Sequence, residues 1–274
     1  MSRRAAIFTV LGCTLLLAFE PAVIASYDTL SAVLWMQTSV EYKASTEQTY
    51  HVAKAALVRE LSEPTHTAAL EQTGDFSKLP PAVIFDLDET VLDNSRFQAR
   101  EAASGQPYLP NWWSKWLEER SAELVPGAKD FIDFAGQQKD PVTHEAVAML
   151  YVTNRSCDPS EPHDATVDVL RKLGLPLDRP SERLFCKGPN DTSDKTPRRE
   201  RCAKNFRILL MFGDQLGDFM LVPDGTDLAG RQLLFKVHEN MWGERWFQLP
   251  NPSYGDWYGA TGATLADKIK NLHL

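Results

Sequence analysis

The sequence predicts an α/β fold, a doubly wound parallel sheet flanked by helices, with a smaller and mainly helical part attached. Two observations carry this expectation. Short runs that are apolar on both faces recur at Ala82–Phe85, Ala146–Val152 and Arg207–Phe212, as strands covered by helices on both sides require. Helical patterns lie between them, and strand–helix alternation marks an α/β sheet. A chain of 274 residues, 43% hydrophobic and 24% charged, holds one substantial core with a smaller attachment.

The chain opens on a basic pair, Arg3-Arg4, followed by the apolar stretch Ala5 to Phe19 and then Val23-Ile-Ala25. This reads as a secretory signal over residues 1–25, cleaved after Ala25, because the apolar run is too short to span a bilayer. Val10-Leu-Gly-Cys13 is a partial lipobox, so the expectation is a secreted or periplasmic protein, with an outer-membrane lipoprotein anchored through Cys13 as the alternative. A membrane association is expected only in that lipidated form. Export implies oxidising surroundings. Three cysteines follow the signal, Cys157, Cys186 and Cys202; one disulfide and one odd thiol are expected, with the pairing open.

Residues 28–62 read as helix, since Leu30, Val33, Leu34, Met36 and Val40, then Val52, Ala55, Ala56 and Leu61, recur at helical spacing. They belong to an N-terminal helical segment of the smaller domain, 26–80. Pro80-Pro81 closes the connector to the first strand. The core is expected to comprise 81–94 and 126–238, with an insertion at 95–125 and a C-terminal segment at 239–274 completing the smaller domain. Within the core, Asp164–Leu173 reads as a helix ended by Gly174, and two weaker strands are expected at Glu182–Cys186 and Gln232–Val237.

Ligands of such sheets bind at the carboxyl ends of the strands, so the residues after each apolar run are the ones that matter. The first strand ends in Asp86-Leu-Asp88-Glu-Thr90. One carboxylate is placed to attack phosphorus and the other to protonate a leaving alkoxide and later activate water. Taken alone, Asp-x-Asp at a turn is ordinary capping chemistry. The second strand ends in Thr153-Asn-Arg155, whose hydroxyl and backbone N–H suit a phosphate oxygen. Lys195 stands just before a helix with Pro197 near its start, where one ammonium offsets charge on a transferring phosphoryl group. Another strand ends in Gly213-Asp-Gln-Leu-Gly-Asp218, and Asp214 and Asp218 are hard oxygen ligands of the kind Mg²⁺ takes. A net charge of −8 argues against a nucleic-acid polymer as partner. It leaves a small anionic substrate open, because a metal and a few cations reverse the field locally.

In this order and placement the four segments resemble the motifs of the haloacid dehalogenase superfamily, and Asp88 points to its phosphatases. Val33–Tyr50, Phe85–Asn94, Trp113-Ser-Lys-Trp116, Val125-Pro-Gly-Ala128 and Asn251-Pro-Ser-Tyr-Gly-Asp-Trp257 narrow the likeness. They resemble the class C bacterial acid phosphatases, the lipoprotein e-type 5′-nucleotidase family. The resemblance implies a haloacid dehalogenase-like fold and a Mg²⁺-dependent phosphomonoesterase with nucleophile Asp86 and acid/base Asp88. It further implies metal held by Asp86, the Asp88 carbonyl and Asp214, supported by Asp218. Thr153, Asn154 and Lys195 would contact phosphate, and Trp113, Tyr254 and Trp257 would meet the organic part of a small phosphomonoester. Phosphotransfer to an alcohol, or a non-catalytic surface binding protein, are the alternatives. A homodimer is left open.

Overall fold

Five parallel strands in the order β5-β4-β1-β6-β7 form the centre of the computed structural model, which describes residues 21–106, 108–156 and 163–273. Two N-terminal helices, α1 (Pro21–Thr38) and α2 (Val40–Leu61), precede β1 (Pro81–Phe85). A short antiparallel pair, β2 (Leu92–Asp93) and β3 (Glu123–Leu124), brackets α3 (Ser95–Ser104) and α4 (Pro110–Glu119). Then follow α5 (Ala128–Gly136), β4 (Ala148–Ser156), α6 (His163–Lys172), α7 (Pro180–Arg183), β5 (Leu184–Lys187), α8 (Thr196–Asn205) and β6 (Arg207–Gly213). A 3-10 turn at Leu216–Asp218 leads through α9 (Leu228–Val237) to β7 (Trp246–Gln248), and α10 (Asp256–Ala260) and α11 (Leu265–Lys270) end the chain.

β1 lies between β4 and β6, pairing Phe85 with Tyr151 on one side and Phe212 on the other. All five of its residues are buried, and their alternation serves two cores. Val83 and Phe85 point to the face that α2 and α5 cover with Tyr50, Leu57, Phe131 and Ile132. Ala82 and Ile84 point to the other, against Ala68, Cys202, Phe219 and Trp246. Phe212 stacks on Phe85 (4.9 Å), Tyr50 (5.1 Å) and Phe247 (5.2 Å). Each such ring, fully buried, contributes about 1.5–3 kcal/mol. The Tyr50 hydroxyl donates to the Thr90 carbonyl at 2.7 Å, so α2 touches the loop that leaves β1.

The expected helix over 28–62 is broken at Ser39, whose hydroxyl accepts the Tyr42 N–H at 3.0 Å and starts α2 anew. The C-terminal end of α2 meets Arg207, which donates to the Glu60 and Glu63 carbonyls (3.1 and 2.9 Å) and to Asp140 (2.6 Å). The helix ending at Gly174 forms as expected, with Gly174 in the left-handed region at φ +68°. One strand does not form. Gln232–Val237 belongs to helix α9, started by Asp227, whose carboxylate accepts the Gly230 N–H at 2.8 Å. The sheet edge is β7 instead.

Of the predicted signal over residues 1–25, residues 1–20, with Cys13, lie outside the described residues, as does Cys157, while residues 21–25 open α1. Cys186 is disulfide-bonded, and Cys202 is a buried free thiol. Among the described residues no helix is long and apolar enough to cross a membrane.

Candidate active site

The chain turns out of β1 in a tight loop in which the Leu87 carbonyl accepts the Val91 and Leu92 N–H groups at 2.9 and 2.7 Å. Glu89 sits there in the left-handed region, φ +57°, strained for a residue with a side chain. Its carboxylate offsets that strain by accepting the Asn94 N–H (2.9 Å), the Gln98 amide (3.2 Å) and the Tyr254 hydroxyl. The loop thereby turns the carboxylates of Asp86 and Asp88 to different partners, although both leave the same strand end.

Asp86 is buried and ion-paired with the Lys195 ammonium, which also binds Asp218 at 2.6 Å. Lys195 ends the loop before α8 at that helix's N-cap position, its side chain turned to the carboxylates rather than to the helix N–H groups. Asp218 closes the turn after β6, its other oxygen accepting the N–H groups of Asp214 (3.0 Å) and Gln215 (2.8 Å). Gly213 makes this possible, since a Cβ there would lie 2.3 Å from Asp218. Asp214 is oriented by the amides of Gln215 and Asn251, both at 2.8 Å. Asp86, Asp214 and Asp218 are all buried, and each offers a carboxylate oxygen within 4.8 Å of the others.

The electrostatics follow from this crowding. Burial, then the neighbouring carboxylates working against Lys195, push Asp86 well above the usual carboxylate range. Burial and Asp218 push Asp214 up to about 7. Burial disfavours the Lys195 charge, but Asp218 and Asp86 outweigh it and hold that group above its ordinary value. Three carboxylates around one ammonium leave uncompensated negative charge, which a divalent cation would relieve. The donor set, all hard oxygen, fits Mg²⁺.

Asp88 is half-buried and gripped by Arg155 and Asn94 rather than by the Lys195 cluster. Thr153 is buried, its hydroxyl accepting the Arg155 N–H at 3.1 Å; Asn154 is exposed beside it. Two consecutive arginines of α8 join these parts. Arg198 donates to the Thr153 carbonyl (2.5 Å) and the Asn154 side chain (2.8 Å), and Arg199 donates to the Gly217 carbonyl (2.8 Å).

Beside Asp88 opens a cavity of about 590 Å³ whose walls include Gln98, Trp113, Arg155, Tyr254 and Tyr258. Trp113 packs edge-to-face on Phe97 at 5.1 Å. Trp257 does not line the cavity; it donates its indole N–H to the Tyr254 carbonyl at 3.1 Å, and Tyr258 stands at the wall. Sequence reasoning missed Arg155, Glu89 and Tyr258. An arginine one residue beyond Thr-Asn carries no distinguishing pattern, and Tyr258 differed from Trp257 only by helical phase.

A family model described as HAD superfamily, subfamily IIIB (acid phosphatase), matches residues 16–257. The chain is also similar to two solved structures of the class C acid phosphatase from Bacillus anthracis, each 30% identical. The one with tungstate bound has a TM-score of 0.75 and the match covers 92% of this chain and 99% of that one. For the other the TM-score is 0.74, with 91% and 98% covered. The chain therefore belongs to the acid phosphatases of the haloacid dehalogenase superfamily, subfamily IIIB, and is a phosphomonoester hydrolase.

Proposed function

We propose that this acid phosphatase is exported, depends on Mg²⁺, acts on small phosphomonoesters including 5′-nucleotides, and works through a covalent phospho-Asp86. The observation that carries the reading is the buried set of Asp86, Asp214 and Asp218 gathered about Lys195 at the ends of β1 and β6. In the first step an Asp86 oxygen bonds to phosphorus, the ester P–O bond breaks, and the departing oxygen takes a proton from Asp88. In the second, Asp88 takes a proton from water as that water attacks phosphorus, which releases phosphate and restores Asp86. Lys195 holds Asp86 in line and offsets charge on the phosphoryl oxygens. Thr153 and Asn154, which Arg198 holds through the Thr153 carbonyl and the Asn154 side chain, would bind those oxygens. Mg²⁺ held by Asp86, the Asp88 carbonyl and Asp214, with Asp218 behind them, would supply further charge neutralisation.

The cavity beside Asp88 supports an organic leaving group of some size, and its aromatic walls suit a ring such as a nucleobase. Export rests on the signal-like residues 1–25. The test is turnover of a chromogenic phosphate and of 5′-nucleotides, with and without EDTA, by the native enzyme and Asp86→Asn. Loss of turnover in the folded variant, and its loss in EDTA with recovery on Mg²⁺, are expected. A folded Asp86→Asn with full activity would remove the mechanism.

A further inference from the structure

We propose that Arg155 is the positioning residue for Asp88, and that it couples this carboxylate to the wall against which the leaving group rests. The inference takes as given the acid/base reading of Asp88. Arg155 is a charged side chain only 4% exposed, at the end of a central strand. Its Nε lies 3.0 and 3.1 Å from the two Asp88 carboxylate oxygens, and its Nη2 lies 2.7 Å from Oδ1. The third nitrogen, Nη1, donates to Thr166 on α6 at 3.2 Å, which fixes the plane of the guanidinium. From the other side Asn94 donates to Asp88 Oδ1 at 2.8 Å while accepting the Trp116 indole N–H at 2.8 Å. Asp88 is therefore held from β4 and from the start of α3, and has little rotational freedom.

The same guanidinium lies 5.6 Å from the Trp113 ring centroid. Asp88, Arg155 and Trp113 all line the 590 Å³ cavity. A leaving group seated on Trp113 thus presses on the group that aims the proton donor. A planar fork aims a carboxylate in a way that the point charge of a lysine does not. Phosphate is assigned to Thr153, Asn154 and Lys195, so Arg155 acts through Asp88.

A positioned acid matters only where the departing oxygen needs a proton. The test therefore compares 4-nitrophenyl phosphate, whose phenolate leaves readily, with 2-phenylethyl phosphate, which carries a ring of similar size but departs as an alkoxide. kcat/KM is measured on both for the native enzyme, Arg155→Lys, Arg155→Met and Asp88→Asn. The ratio of the two values within one variant does not depend on the fraction folded. Misplacing a catalytic group by about 1 Å can lower a rate about 10²-fold. The expected result is a fall in Arg155→Met about that much larger on the alkyl ester, a smaller excess in Arg155→Lys, and the largest in Asp88→Asn. Equal losses on both esters in the two Arg155 variants, with an unequal loss in Asp88→Asn, would overturn the proposal. Equal losses in Asp88→Asn as well would remove the reading of Asp88 and the proposal with it.

Discussion

Replacing Lys195 by methionine keeps most of the side-chain volume and deletes the cation paired with Asp86 and Asp218 in the acidic cluster. The side chains of Lys195, Asp86 and Asp218 are 6, 8 and 5% exposed, so the pairs fall outside the surface class, which is worth about 0–1 kcal/mol. Removing one partner of a buried pair costs about 3–5 kcal/mol, because the charge left behind stays buried. At about 2–4 °C per kcal/mol for a chain of this size, the melting temperature in EDTA should fall on the order of 6–20 °C. The deficit should also depend on pH. Asp86 and Asp214 already lie above the usual carboxylate range, and a raised acid stabilises least once pH rises through its folded value. Without Lys195 the loss should therefore be small in acid and grow toward neutrality and above. Thermal melts of the native protein and Lys195→Met in EDTA, at acidic and neutral pH, check this. A change below about 1 kcal/mol at neutral pH would show that the pair behaves like a surface contact and refute the reasoning.

Arg207→Met should cost about 3–5 kcal/mol in urea denaturation, since it strands Asp140 and uncaps the carbonyls that end α2. Glu101, on the cavity wall, is pushed up to about 7 by burial. Its folded value exceeds the unfolded one, so the native protein should lose stability as pH rises from about 4.5 to 7. Glu101→Gln should flatten that slope, and urea midpoints across this range would reveal an unchanged one. Cys202 is completely buried and its thiol is pushed upward by burial. It should stay inert to a thiol reagent until denaturant is added, and rapid labelling of the native protein would contradict its placement.

Much of the candidate site was legible because its residues sit where the apolar pattern stops. Asp86, Thr153 and Asp214 each follow a run of strand residues buried on both faces, and such runs stand out without knowledge of their neighbours. Lys195 was legible through the helix start at Pro197. The errors arose where pattern and burial part company. Leu233, Phe235 and Val237 look like strand residues, yet α9 exposes all three. The edge strand Trp246–Gln248 has only three residues, too few for any period to declare itself. Ser39 broke a helix that apolar spacing had joined, since a cap is a local hydrogen bond rather than a change of phase. Arg155 was illegible for a different reason: its partner Asp88 lies 67 residues away, and only the β1–β4 pairing brings them together.

Beyond Asp88, Asn154 and Arg155, the cavity wall is drawn from parts of the chain outside the acidic cluster: Thr29 on α1, Gln98 on α3, Trp113 on α4, and Tyr254 and Tyr258 near the C-terminus. The acidic cluster and its lysine come from strand ends and from the loop before α8. Under the proposed mechanism, most of the wall that would meet the leaving group is thus encoded apart from the acidic cluster, and the two meet at Asp88 and Arg155. Substitutions on α1, on α3 and α4 and near the C-terminus would then reshape the wall without touching the strand ends that carry the acidic cluster.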